Sequence, residues 1–206
     1  MASGDRDLIL PRTLEQMETE LCPRLLEAGD KLKTVVRKCL DPFPKTVAGM
    51  LLRGNRNVIK TNCRNSESEK NAVIENFVCI RNQSRLDQLH DVVDLFNRKL
   101  VFIGSDDSAT SRRLDLTCCH AQVLMKELRE KLEEWDDCKE EGTTWIMNFI
   151  DEMLRDALDL ACSTYQNDPN KCKPVLEETP LNITMQSAKN NDAFFVPLIR
   201  VLSAIS

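Results

Sequence analysis

Length, composition and charge exclude more than they assign. At 206 residues, with 42% hydrophobic and 30% charged side chains, the chain can bury a full core and is too apolar for wholesale disorder. A net charge of −5 offers no electrostatic footprint for nucleic acid, which would need a basic face, pairs such as Arg37-Lys38 and Arg112-Arg113 are too short to supply one, and no run of about eighteen apolar residues could cross a membrane.

In chain order, Leu14, Met17, Leu21, Ala28, Leu32, Val35 and Cys39 draw one helical stripe over residues 13–40. Pro23 interrupts it, so the helix either kinks there or starts afresh with the proline in its first turn. Asp41-Pro42-Phe43-Pro44 stops it. A short helix is expected over Val47–Leu52, ended by Gly54. Ser66 and Glu69 have capping-box spacing ahead of Val73, Ile74, Phe77 and Val78, and predict one long helix running on through Leu86, Leu89, Val93, Phe96 and Leu100 to a polar loop at 104–108.

The strongest periodicity is the heptad seam Leu114, Cys118, Ala121, Met125, Leu128, Leu132 and Trp135, with charged residues on the other faces. Gly142 breaks it, Thr143 or Thr144 caps the next helix, and Ile146, Ile150, Met153, Ala157 and Leu160 carry that helix to Asp168-Pro169. Two long helices so closely joined lie antiparallel. Residues 173–192 lose periodicity and read as an extended surface connection. The apolar tail Phe194, Phe195, Val196, Leu198, Ile199, Val201, Leu202 and Ile205 is expected to dock on the bundle, Arg200 weighing against the rival reading as a lipid-anchor signal. The expected fold is therefore all-α, a bundle of about five helices with a docked C-terminal segment, forming one domain over 1–206 with halves at 13–103 and 109–172 and an extension at 173–206.

Nine cysteines, Cys22, Cys39, Cys63, Cys79, Cys118, Cys119, Cys138, Cys162 and Cys172, are a heavy load for a reducing compartment and predict disulfide staples in a secreted protein whose signal peptide has been removed. A turn centred near Gly142 puts Cys119 and Cys162 at similar heights, which favours their pairing. Spacings of 17 and 16 residues in the first half suit nested pairs Cys39–Cys63 and Cys22–Cys79. Adjacent Cys118 and Cys119 diverge by about 100° on a helix and serve two partners, Cys172 or Cys138 being open to Cys118; an odd total leaves one thiol over.

Chemistry is hard to find. Cys118-Cys119-His120 lacks the second ligand pair of a zinc site, only His90 and His120 could activate a thiol, and His120 reads as a partly exposed helical residue. There is no Gly-rich phosphate loop, no nucleophile elbow and no His-Glu-x-x-His helix. Acidic pairs at 106–107, 136–137, 140–141 and 177–178 read as solvated surface. No catalytic residue, metal or cofactor is assigned. Asn82-Gln83-Ser84 and Asn182-Ile183-Thr184 match the N-glycosylation pattern, with Asn182 in the expected surface connection and Asn82 requiring an outward helical face.

The adjacent Cys118-Cys119, then Trp145-Ile146, the run Asp159-Leu160-Ala161-Cys162-Ser163-Thr164-Tyr165, Lys171-Cys172 and Phe195-Val196-Pro197-Leu198-Ile199 together resemble secreted cysteine-rich helical proteins of arthropods, a group broadly similar to insect haemolymph glycoproteins. The resemblance covers mainly residues 118–202. It implies an extracellular, glycosylated, non-catalytic protein and carries over no site residues. The expected function is binding, with a protein partner or an apolar ligand, no nucleic acid and no membrane span. The alternative is an apolar-ligand carrier with Met50, Met125, Met147 and Met153 around a soft cavity between helices. The 114–135 seam could equally serve a homo-oligomer.

Overall fold

A computed structural model describes residues 10–105, 111–166, 169–178 and 201. Among these residues there are helices and turns and no strand, so the all-α expectation holds.

The first apolar stripe is one continuous helical rod. After α1 (Leu14–Gln16) the helix widens into a π turn (Met17–Leu21), where Cys22 N–H donates to the Met17 carbonyl, and then continues as α2 (Cys22–Cys39). The wide turn falls where Pro23 has no N–H to offer, so the lost interior bond is absorbed by a change of helical register. Extended backbone at Leu40 and Asp41 ends the rod, and Pro42 opens α3 (Pro42–Arg64) at a position where a missing N–H costs nothing.

α3 corrects the expectation of a short helix ended by Gly54. It runs 23 residues straight through that glycine. Gly54 is there for contact: a Cβ on it would lie 2.6 Å from the Met153 carbonyl oxygen, so only glycine lets α3 lie on α7 at this height.

The capping box forms as expected: Ser66 Oγ accepts from Glu69 N–H, and Glu69 returns a bond to Ser66 N–H at 2.9 Å. The long helix expected beyond it is broken in two. α4 (Glu67–Asn76) ends at Phe77, a 3-10 turn spans Val78–Ile80, and α5 (Gln83–Ser105) starts afresh. The break seats Cys79 against Cys138, and Arg85 fastens it by donating to the Cys79 carbonyl at 2.8 Å, pairing with Asp137 at 3.0 Å and lying over the Trp135 ring. α5 reaches Ser105, two residues into the expected polar loop, the rest of which (106–108) is outside the described residues.

α6 (Arg113–Glu133) and α7 (Glu140–Gln166) form the expected antiparallel hairpin. Gly142 does not break the chain and neither threonine caps it; α7 already begins at Glu140, and Thr143 is buried, donating to the Cys138 carbonyl at 3.2 Å. The buried surface of α6 is wider than the heptad seam. Leu116, Cys119, His120 and Leu124 are buried beside Cys118, Leu128 and Leu132, because α6 is covered by α5 on one side and α7 on another. A 3-10 turn (Pro169–Lys171) leads to α8 (Cys172–Glu178), which replaces residues 173–178 of the extended connection expected over 173–192; the remainder of that connection lies outside the described residues.

The main core gathers Leu100, Ile103, Leu116, Cys119 and Leu132, and Val201 of the tail is fully buried with them, 3.3 Å from where a Gly104 Cβ would stand. The other apolar tail residues are outside the described residues. A smaller cluster of Val47, Leu51 and Ala157 joins α3 to α7, and Trp145 packs edge-on to Phe77 at 5.4 Å and stacks on Phe149 at 5.3 Å. The halves at 13–103 and 109–172 are therefore knitted together by α3 on α7 and by Cys79–Cys138.

Candidate functional site

Four disulfides organise the molecule: Cys22–Cys63, Cys79–Cys138, Cys118–Cys162 and Cys119–Cys172. The expected nested pairs Cys39–Cys63 and Cys22–Cys79 do not form. α3 extends so far that Cys63, not Cys39, stands opposite Cys22, and Cys39 at the far end of α2 is exposed and unpaired. The expected Cys119–Cys162 bridge is off by one residue: Cys118 faces α7, and Cys119, a third of a turn round, faces α8. Adjacent cysteines do serve two partners, as their divergence requires.

α6 is thus clamped on two sides, and the groups beside the clamp are the best candidates for a site. Gln122 donates to the Tyr165 carbonyl at 2.6 Å, and the Tyr165 hydroxyl bonds the Asp115 carboxylate. Desolvation first, and that bond second, push the tyrosine up to about 12. Further along the hairpin, Met125, Lys126, Arg129, Met147, Asn148 and Asp151 line an open groove of about 360 Å³. Of the four methionines in the carrier reading, this groove brings together only Met125 and Met147. Met50 packs on the small α3–α7 cluster, and the Met153 carbonyl lies against Gly54.

His120 is not partly exposed. It lies in the α5–α6 interface, 7% exposed, and neither ring nitrogen has a hydrogen-bond partner. Asn97 is also buried, with Oδ1 unbonded. Burial, with a smaller push from Lys99, lowers the imidazole to about 4, so it is neutral at physiological pH. A histidine walled off in this way has no thiol to activate, since Cys118 and Cys119 are both in disulfides. Among the described residues no cluster of three or more His, Cys, Asp or Glu could hold a metal.

Of the glycosylation candidates, Asn82 is exposed immediately before α5, where its Oδ1 accepts from Ser84 N–H at 2.9 Å and no group among the described residues engages its amide nitrogen. Asn182 lies outside the described residues. No helix among the described residues is long and apolar enough to cross a membrane. No family model matches the chain, and neither a curated protein nor a solved structure matches it.

Proposed function

We propose that this is an extracellular, glycosylated, non-catalytic protein that binds its partner through a rigid, disulfide-clamped helical surface. One observation carries the reading: eight of nine cysteines meet in pairs whose Cα atoms stand 4.9–5.8 Å apart, a complement of staples that persists only in an oxidising compartment. The exposed Asn82 sequon suits the same compartment, and so does the resemblance to secreted cysteine-rich arthropod proteins. The non-catalytic part rests on the candidate chemistry: the thiols beside His120 are bonded and the imidazole is buried. A carrier of an apolar ligand is the second reading, favoured by the Met125–Met147 groove; lipid extracted from purified protein and seen in native mass spectra would promote it.

The test of the first reading is alkylation of the denatured chain with and without reductant. One modified cysteine without reductant and nine with it is the expected result, with Cys39 the one labelled in the folded protein. Nine modified cysteines without reductant, on material made in a secretory host, would place the protein in a reducing compartment and end the proposal.

A further inference from the structure

The net charge of −5 conceals a strong separation of charge. Between residues 22 and 64 there are ten Lys and Arg against three Asp and Glu, a local charge of +7, so the rest of the chain carries −12. These 43 residues are the α2–α3 hairpin, closed on itself by Cys22–Cys63 and by the ion pair of Arg56 with Asp30 at 2.8 Å.

The cations are arranged as well as numerous. Every basic residue of α3, namely Lys45, Arg53, Arg56, Lys60 and Arg64, falls within an arc of about 100°, opposite the arc that Val47, Leu51, Gly54 and Val58 bury. α3 contains no acidic residue at all. The stripe runs about 28 Å along the helix. α2 adds to it: Lys33 and Arg37 follow Asp30 by three and seven residues and so share the flank on which Asp30 meets Arg56. Apart from Arg56, none of these cations has an acidic partner among the described residues. The acidic remainder of the molecule begins across the thickness of α3, about 10 Å, which is close to the screening length at physiological salt. An approaching polyanion therefore meets the local field of the hairpin, not the net charge.

The geometry points to the α2–α3 hairpin as a docking face for a sulfated polysaccharide of the extracellular surface. A linear polyanion matches a row of cations along one helix, four of its five without an acidic partner among the described residues. A lipid surface fits less well, because interfacial helices need large apolar side chains beside their cations. The exposed apolar residues here, Phe43 on α3 and Val35 on α2, are turned away from the basic arc, Phe43 by about 110° from its centre. Single-stranded nucleic acid would want aromatic platforms, and the arc has none. The choice of polysaccharide over duplex nucleic acid rests on the extracellular reading above.

The test is calorimetric titration of the full, oxidised chain with a heparin octasaccharide, at salt concentrations from about 50 to 200 mM. Binding that weakens about a hundredfold over that range is expected for four to five released counterions. Lys45→Ser/Arg53→Ser/Lys60→Ser should lose at least tenfold in affinity and flatten the salt slope by about three, while Lys131→Ser/Lys139→Ser/Lys173→Ser, which removes the same charge from outside the hairpin, should bind as the parent does. Circular dichroism of both variants guards against unfolding. No binding at the lowest salt, equal losses in the two variants, or tighter binding to duplex DNA or phosphatidylserine vesicles of matched charge would each overturn the assignment. Alkylation of the same sample separates the two proposals: intact disulfides with no heparin binding defeat only this one, and free thiols defeat the extracellular reading.

Discussion

His120 makes the stability of this protein depend on pH in a window that few other groups reach. Its imidazole is lowered by burial to about 4 in the folded chain, against about 6.5 when unfolded. Above pH 6.5 both states hold it neutral and it contributes no pH dependence. As the pH falls from 6.5 towards 4, the unfolded chain takes up a proton that the native interior refuses. Stability then drops by about 1.4 kcal/mol per pH unit, to a loss of about 3 kcal/mol at most by pH 4. Urea unfolding at half-unit steps between pH 7.5 and 4, on the parent and on His120→Leu, isolates the effect, because carboxylates common to both proteins cancel in the difference. The parent should lose ground on the variant steadily below pH 6.5. Parallel curves across the whole range would show that the imidazole is protonated in the folded state and that its burial has been misjudged.

Tyr165 is the only tyrosine in the chain, so absorbance near 295 nm reports it alone. It should stay protonated past pH 11 in the folded protein, with Asp115→Ala bringing its titration down towards 10; because the unfolded phenol ionises first, stability falls as pH rises through 10 to 12. Gly49 stands in mid-helix with nothing within 4 Å of its missing Cβ, so Gly49→Ala should raise stability by about 0.5–1 kcal/mol in thermal unfolding, and a loss would contradict the open space. With a separation of 44 residues, Cys118–Cys162 alone would restrict the unfolded chain by about 4 kcal/mol, but Cys119–Cys172 already closes most of that loop. The Cys118→Ser/Cys162→Ser variant opens only a ring of roughly eleven residues and should cost about 3 kcal/mol.

The helical class was legible because its signals are local: the capping box at Ser66, the proline stop after Leu40 and the 114–135 seam all act within a few residues. The errors have one source. Glycine reads from sequence as a helix end, yet Gly54 and Gly142 both lie inside helices, the first because two backbones touch there and a Cβ would collide. Periodicity likewise ran α4 and α5 together, since nothing near Phe77 announces a turn that exists to meet Cys138, 59 residues from Cys79. Disulfide pairing magnifies such slips. Lengthening α3 by ten residues beyond Gly54 exchanges the partners of Cys22 and Cys63, and one residue of rotation on α6 exchanges Cys118 for Cys119. The burial of His120 was hidden for a related reason: the seam describes one neighbour of α6, and the helix has two. The basic stripe, by contrast, was in plain view as Lys and Arg at 45, 53, 56, 60 and 64, spaced eight, three, four and four, and needed only the full length of α3 to become a row.

The staples are unevenly distributed, and this has a mechanical consequence. Cys22–Cys63 closes the α2–α3 hairpin on itself, and the other three bridges all join residues between 79 and 172. No disulfide crosses from the basic hairpin to the rest of the molecule; α3 is held on α7 by Val47, Leu51 and Ala157 and by the backbone contact at Gly54. Gly54→Ala forces a Cβ to within 2.6 Å of the Met153 carbonyl oxygen, a backbone atom that cannot swing aside, and should cost about 1–3 kcal/mol or more by pushing the two helices apart. Because the clamp around α6 is independent of that contact, the damage should stay local. Hydrogen exchange in the oxidised variant is expected to rise along α3 and the facing stretch of α7 around Met153, with α5 and α6 as protected as in the parent. A uniform rise through every helix would mean that the hairpin and the clamped bundle open as one cooperative unit, and that their separation by disulfide topology has no energetic counterpart.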